Sequence, residues 1–339
     1  MQAAVISLAD LESRTGRLEQ QQAQAICRSM PAFGYEPLLV TLQGQECADL
    51  PCLKLRSQTG LAGMFRLWRW QRRTERLLVL AVGAASVRLA RRIQAMARKK
   101  GAALVNVFLL EPPAKWFTAG PEKLCICGSE YIASRLPEGR CQLAFAQPGI
   151  ALAQAGSRAP GGRFVFGMGQ SMEPASGALL VVRAMAALWQ HELPEWEVRM
   201  FGGGGEFEEV FAEAAKMGVL SRLGIFGDQP LNYVAGQCNA WLGPGSDPAE
   251  LPATLWAGFA AGLPVICSDN ALHRERQFGQ NATLSVSGDN PQELAKAMLT
   301  VLQNGERAAA LAEAGAALRP QISLQGMAER VCALLEKVA

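Results

Sequence analysis

Short aliphatic and β-branched runs alternate with longer stretches of helical periodicity along the whole of this chain. Residues 3–7, 37–42, 77–82, 102–108 and 123–127 read as strands, with 14–30 and 84–99 as helices between them. Strands separated by helix-length segments cannot pair as hairpins, so the pattern implies parallel sheets with crossover helices. After Gln147 the segment 148–162 (PGIALAQAGSRAPGG) is proline, glycine and small residues, the composition of an interdomain linker. The alternation then restarts, with strands at 163–168, 197–201, 224–226, 240–242 and 263–267 and helices near 177–189, 207–216 and 253–261. From 291 onward the pattern is almost wholly helical and ends in an amphipathic helix at 324–338. The expected organisation is α/β: two doubly wound domains, 1–150 and 151–320, and a C-terminal helix at 321–339. Open parallel sheets bind ligands at the carboxyl ends of their strands, so a site is expected in a cleft where two such edges face each other.

The 339 residues suit two domains of ordinary size, and with half of them apolar and 19% charged each can bury a core, which excludes disordered and collagen-like chains. Uncharged apolar runs such as 77–85 fall below the ~20 residues needed to cross a bilayer. Residues 1–10 place Asp10 where a signal peptide carries basic residues, so a cytoplasmic location is expected. Nine cysteines, odd in number and without a C-x-x-C pair, do not suggest a disulfide framework. Cys125 and Cys127 alternate along one strand and read as buried small hydrophobes rather than metal ligands. With only His191 and His273 for imidazole, a zinc site has little to build on. Charge is uneven: residues 1–150 hold 20 Lys and Arg against 11 Asp and Glu, the remainder 13 against 19. Such an imbalance suits a first domain that meets an anionic partner.

Two stretches are suited to approach a ligand closely. Residues 200–206 (MFGGGGE) join a strand to a helix, so their amides can reach a phosphate or a base at a positive helix end, or simply form a permissive turn. Residues 252–269 (PATLWAGFAAGLPVICSD) give a small-residue helix whose start can bind an anion, then a glycine turn and a buried strand opening into the loop 270–276. GLPVI followed by Ser268, Asp269 and, six residues on, Glu275 resembles the donor-binding signature of the GT-B glycosyltransferases, in particular the large retaining nucleotide-sugar family (family 4, group 1). Gly34, Tyr35 and Glu36, the serine-led segment 129–136, Pro148, Gly149 and Ile150, Tyr233, Asn239, Pro244 and the helical run 290–304 are similar to its other landmarks. The resemblance spans nearly the whole chain. The early turn lacks G-x-G-x-x-G, which disfavours a dinucleotide-binding dehydrogenase.

The resemblance implies two Rossmann-like domains facing each other across a cleft, the GT-B arrangement. It further implies a retaining, metal-independent transferase without a cofactor, whose substrates are a nucleotide sugar on the second domain and a carbohydrate or lipid-linked acceptor on the first, in polysaccharide or cell-envelope biosynthesis. Gly202, Gly203 and Gly204, with Gly205, would lie under the nucleotide, and Phe226 and Gly227 near its base. Thr254, Leu255 and Trp256 would turn amides toward the phosphates, and helix ends and cations would stabilise the departing diphosphate. Gly16 and Arg17 stand at the glycine pair of the first loop.

This sequence departs from the family at charged positions. Gln170 and Ser176 stand where an arginine and a lysine clamp the phosphates. The paired glutamates fall on Ala249 and Ala257, with Glu250 the only acid near register, and residues 105–111 (VNVFLLE) lack the family histidine. Losing one preorganised donor costs roughly 3–4 kcal/mol of barrier, so two unreplaced losses would slow transfer by about 10⁴ or more. Substitute charge is expected from Arg17, His273, Arg274 and Arg276, unless that last loop is a solvated turn. The catalytic candidates are Glu250, Glu275 and Arg17, with Glu275 either contacting the donor sugar or pairing on the surface. The alternative is a non-catalytic scaffold or binding protein that keeps the transferase fold.

Residues 65–76 (FRLWRWQRRTER) interleave Trp68 and Trp70 with Arg66, Arg69, Arg72, Arg73 and Arg76. This mixture suits the headgroup layer of an anionic membrane, at its inner face, or a solvated basic face with two core tryptophans. A second basic helix sets Arg88, Arg92 and Lys99 on one side and Leu89, Ile93 and Met96 toward the core. No nucleic-acid motif accompanies the patch, and no nucleic-acid partner is expected.

Overall fold

The structure is a computed structural model. It describes the chain except for residues 43–48, 56–60, 72–75, 98–100, 112–116, 119, 138–140, 153–161, 247–251, 288–289 and 338–339 and the side chains of 61–64, 71 and 252. Two compact units form, Met1–Ile150 with Ile322–Ala339, and Ala151–Gln321.

The first unit runs β1 (Gln2–Ser7), α1 (Arg14–Ser29), β2 (Glu36–Leu42), β3 (Cys52–Leu55), α2 (Leu61–Gln71), β4 (Leu77–Val82), α3 (Val87–Met96), β5 (Ala103–Phe108), β6 (Leu124–Cys127), α4 (Glu130–Ser134) and β7 (Gln142–Phe145). Its sheet has the order β3-β2-β1-β4-β5-β6-β7, and every pairing is parallel. Both faces are covered, which is why β4 and β5 are buried at every position instead of alternating. Ala4, Ile6, Val79, Leu104 and Phe108 face one layer, which takes in Leu67 of α2 and Val87, Leu89, Ala90 and Ile93 of α3. Met96, expected in that core, is 39% exposed at the last position of α3.

The second unit runs β8 (Phe164–Met168), α5 (Ala178–Leu188), β9 (Trp196–Phe201), α6 (Phe207–Lys216), β10 (Leu223–Phe226), α7 (Leu231–Ala235), β11 (Ala240–Gly243), α8 (Pro252–Ala261), β12 (Val265–Ser268), α9 (Ala271–Glu275), β13 (Thr283–Val286), α10 (Pro291–Gln303) and α11 (Gly305–Ala316), with α12 (Arg319–Ile322) at its end. The all-parallel order β10-β9-β8-β11-β12-β13 repeats the topology of the first sheet. Helices α5, α6 and α10 pack on the face of Phe166, Met168, Val198, Leu242 and Ile266. On the other face Gly258 of α8 comes so close that a Cβ there would lie 2.8 Å from Trp241 Cβ and Val265 Cγ2.

The chain then returns to the first unit. Ile150 and Ser323 form a parallel bridge, with Ile150 N donating to Ile322 O at 2.8 Å and Leu324 N to Ile150 O at 3.1 Å. α13 (Leu324–Leu335), capped by Ser323 Oγ on Gly326 N, packs against α1 and buries Met327, Val331, Cys332 and Leu335. Cys27, Cys125, Cys127, Cys141, Cys238, Cys267 and Cys332 are free and Cys52 is disulfide-bonded, which is no framework of bridges. Burial pushes the thiols of Cys27, Cys238 and Cys332 up to about 12, so they behave as small hydrophobes. Among the described residues no helix is long and apolar enough to cross a membrane.

Since α13 supplies part of the first unit's core, Leu335→Ala is expected to destabilise that unit by about 2–5 kcal/mol. Chemical denaturation followed by hydrogen exchange should show the loss in α1, β1 and β2; equal loss in β8–β13 would contradict the packing.

Candidate functional site

In both sheets all strands run the same way, so the loops after β1, β4 and β5, and after β8, β9, β11 and β12, gather at the carboxyl edge of their own sheet. In the second unit that edge is built from tightly interlocked backbone. Met172 N donates to Gly203 O at 3.0 Å, Glu206 N to Met172 O at 2.8 Å, and Gly202 N to Phe226 O at 3.0 Å. A Cβ on Gly202 would lie 2.7 Å from Gln170 O, and one on Gly204 would overlap Met172 O. The glycines are therefore required by loop-on-loop packing, whatever else they meet. Glu173 Oε1 accepts from Gly205 N at 3.0 Å, so a carboxylate already satisfies an amide at the start of α6.

Gln170 and Ser176 both lie in the loop after β8 and both are buried, at 2% and 5% exposure. Neither amide atom of Gln170 has a hydrogen-bond partner among the described residues. Ser176 Oγ accepts from Ala178 N at 3.4 Å at the entry to α5. Gly177 (φ 83°) presses on Pro244, where a side chain at 177 would meet the proline ring, and Ser246 N donates to Ala175 O at 2.9 Å. The loops after β8 and β11 are thus one unit.

The loop after β12 closes on the same place. Ser268 Oγ donates to Pro244 O, and Asn270 Nδ2 donates to Gly245 O at 3.2 Å. Asn270 Oδ1 also caps His273 N at 2.8 Å, which winds residues 271–275 into α9 where the sequence reads as a loop. His273 is 1% exposed, and its Nδ1 lies 2.8 Å from Ser268 O. A carbonyl only accepts, so Nδ1 carries the proton in this arrangement. Arg274 is exposed and pairs with Asp269. Arg276 is buried at 2%, and its carbonyl accepts from Trp256 Nε1 at 2.9 Å. Glu275 is exposed on α9. This basic segment is accordingly a capped helical turn with two buried cationic residue types, not a solvated turn.

Thr254 and Leu255 are buried in the first turns of α8, where helix amides lack intrahelical partners. Phe226 is 45% exposed and stacks on Phe201 with centroids 5.3 Å apart and 22° between the rings; Gly227 beside it has open space. Glu250, Arg72 and Arg73 lie outside the described residues. Among the described residues no group of three or more His, Cys, Asp or Glu is placed to hold a metal ion. Negative charge collects at the glycine loop instead: Glu206 is raised above the usual carboxylate range by burial and by the charges of Glu209 and Glu173.

In the first unit Ser13 Oγ caps Gly16 N at 3.0 Å, and a Cβ on Gly16 would overlap the carbonyl of Asp10. Arg17 reaches back to that loop, donating from Nη1 to Glu12 O at 3.0 Å and Leu11 O at 3.3 Å. Gly16 and Arg17 are thus brought together with the β1–α1 loop, and Gln170, Ser176 and Gly202–Gly204 with one another. A residue that the motif reading passed over is Glu19, whose carboxyl occupies the space beside Gly83 where a side chain would stand. No motif or spacing in the sequence marks it. Burial, and then the charge of Glu111, push it up to about 7.

A carboxyl raised in this way adds stability in full below its ordinary value of 4.5, and the contribution is lost as pH rises through about 7. Glu19→Gln is expected to melt like the wild type near pH 4 and at a higher temperature near pH 8. Identical melting of the two proteins near pH 8 would count against a desolvated carboxyl.

Residues 152–317 match the family described as Glycosyl transferases group 1. No curated protein matches the chain in sequence. Among solved structures it is similar to HepE of Anabaena in complex with UDP and glucose, at a TM-score of 0.72 and 13% identity, over 99% of this chain and 100% of that one. A glycosyltransferase from Rickettsia africae gives 0.70 and 14%, over 99% and 97%. A sucrose-phosphate synthase from Thermosynechococcus elongatus gives 0.66 and 13%, over 100% and 99%. Those likenesses carry the fold, and the family match covers almost all of the second unit. The matched segment, almost all of the second unit, belongs to the group 1 glycosyl transferases, and the chain has the GT-B fold of two parallel-sheet domains.

Proposed function

We propose that this chain is a retaining glycosyltransferase that holds a nucleotide sugar on its second domain and passes the sugar to a carbohydrate or lipid-linked acceptor on its first, at the cytoplasmic side of an envelope or polysaccharide pathway. The observation that carries the reading is the group 1 match over 152–317, which falls on the unit whose carboxyl edge bears the glycine loop, the exposed Phe226 and the start of α8. A base stacks on Phe226 above Gly227, and the diphosphate meets the start of α8 and the polar amide of Gln170. Leaving-group charge then falls to α8 and to the α9 segment, with Arg274 able to leave an exposed ion pair at little cost. Glu275 faces the donor sugar, and Glu250 and Arg17 are the other candidates for a catalytic role.

A second reading, a non-catalytic nucleotide-sugar binder, is favoured by one specific feature. The charged clamp is replaced by buried, uncharged Gln170 and Ser176, and Glu173 fills the amide position that an anion would take. Calorimetry with UDP-, GDP-, TDP- and CMP-sugars, then donor hydrolysis, separates the two. One donor is expected to bind and to be turned over slowly. Phe226→Ala should weaken it by about 1–3 kcal/mol, and Glu173→Gln should strengthen it by removing a like charge. Binding without turnover selects the second reading, and no binding of any donor overturns both.

The first domain's α2 exposes Phe65 at 59% and Trp68 at 39%, with Arg66 and Arg69 also exposed and Trp70 tucked half-buried against the core. Aromatic rings beside arginines suit the headgroup region of an anionic bilayer, which would bring the enzyme to a lipid-linked acceptor. In flotation assays the protein is expected to rise with vesicles containing phosphatidylglycerol and not with phosphatidylcholine alone. Arg66→Glu with Arg69→Glu should abolish the effect; unchanged flotation would remove the membrane proposal.

A further inference from the structure

At the amino edge of the second sheet, opposite the loops described above, the turn from α5 to β9 meets the turn that leads into β10. Trp189, half exposed at 47%, stands edge-on to the buried Trp196 with centroids 6.4 Å apart and 73° between the rings. The Arg222 guanidinium lies 4.6 Å from the Trp189 centroid and 5.2 Å from that of Trp196, and its Nη1 donates to Trp196 O at 2.7 Å. An open hollow of about 530 Å³ is lined here by Trp189, His191, Glu192, Leu193, Trp196 and Arg222. The indole of Trp189 is thus fixed from two sides, so a ligand stacking on it loses little side-chain freedom. His191 and Glu192 are exposed, and their side chains make no hydrogen bond to other described residues.

We infer that this hollow is a saccharide-binding site, separate from the donor loops, that takes one or two neutral sugar rings. A pyranose offers an apolar C–H face and a rim of hydroxyls that both donate and accept. It needs an exposed aromatic surface flanked by side chains of both hydrogen-bonding kinds. Trp189 supplies the surface, Arg222 the donors, Glu192 the acceptors, and His191 one of each when neutral. The charges also select: Arg222 and Glu192 cancel, so the site lacks the surplus positive charge a phosphate requires, and Arg222 repels a cation. The volume falls within the roughly 300–1,000 Å³ of small-molecule sites. Such a site would tether a growing glycan to the domain without entering the transfer chemistry, and it holds whether or not the chain catalyses transfer.

Titration of the full chain with maltotriose, cellotriose, chitotriose and mannotriose, read by calorimetry and by the indole N–H signals in NMR, tests this. At least one is expected to bind with a dissociation constant below about 1 mM, moving the Trp189 and Trp196 signals. Trp189→Ala should weaken it by about tenfold or more and Trp189→Phe should recover part of the loss, with melting temperature and UDP-sugar binding unchanged in both. Silence from all four sugars at about 10 mM, wild-type affinity in Trp189→Ala, or inorganic phosphate shifting the same signals in place of sugar overturns the inference. Failure of UDP-sugar binding alone concerns the donor reading and not this one.

Discussion

A parallel strand cannot be followed by its neighbour through a tight turn; the chain must cross a face of the sheet and re-enter from the same edge. That requirement, met eleven times among the thirteen strands of the two sheets, covers both faces of each sheet with helices and sends the loops that follow the strands of each unit to one edge. It accounts for the uninterrupted burial of β4 and β5, and for glycines wherever two loops must pass at backbone contact. Gly202 and Gly204 against the 170–172 carbonyls, and Gly16 against Asp10, are consequences of crowding several loops onto one rim.

Crowding also explains what the sequence could and could not disclose. The buried central strands were legible because covered parallel strands are continuous apolar runs, and α1, α5, α6 and α8 because their apolar spacing is long enough to be helical. The edge strands β3, β7 and β13 were not read. Gln142–Phe145 is exposed at three of its four positions, and Cys52–Leu55 carries a lysine, so neither displays the apolar run. The wholly helical tail was legible, but its return to α1 was not, since that depends on Ile150 and Ser323 meeting across 173 positions of chain. Segment 270–276 was misjudged as a loop because four charged or imidazole side chains in seven residues suggest solvent. Asn270 capping His273 N converts the same residues into a turn of helix that buries two of them.

For the site, the motifs identified which segments gather but not how their polar atoms are spent. Arg17 looks like spare charge in the sequence, while its Nη1 binds two carbonyls of its own loop. The glycine run looks like a row of open amides, while Gly202 extends the sheet and Gly205 is capped by Glu173. Such commitments are three-dimensional and leave no trace in spacing. Glu19 is the converse case: nothing marks it in sequence, yet its carboxyl is desolvated beside Gly83.

The electrostatic argument turns on how much an uncharged rim can do. Helix termini and side-chain amides offer partial charges, worth about 0.3–1 kcal/mol each at exposed positions and up to ~2 when partly buried, against roughly 3–4 for a preorganised donor aimed at developing charge. On the proposed reading, Gln170 and the start of α8 would hold a diphosphate already formed, but would leave a deficit when the sugar–phosphate bond breaks and negative charge grows. Glu173, Glu206 and Glu209 deepen that deficit by lowering the potential at the glycine loop. On that reading transfer at an ordinary rate would require a cation to be recruited on substrate binding, and among the described residues Arg274 is one at this edge whose partner, Asp269, is solvent-exposed enough to release it. The exchange of one surface ion pair for a pair with phosphate is close to neutral in free energy, so the rate would depend on how fully bound substrate draws Arg274 across.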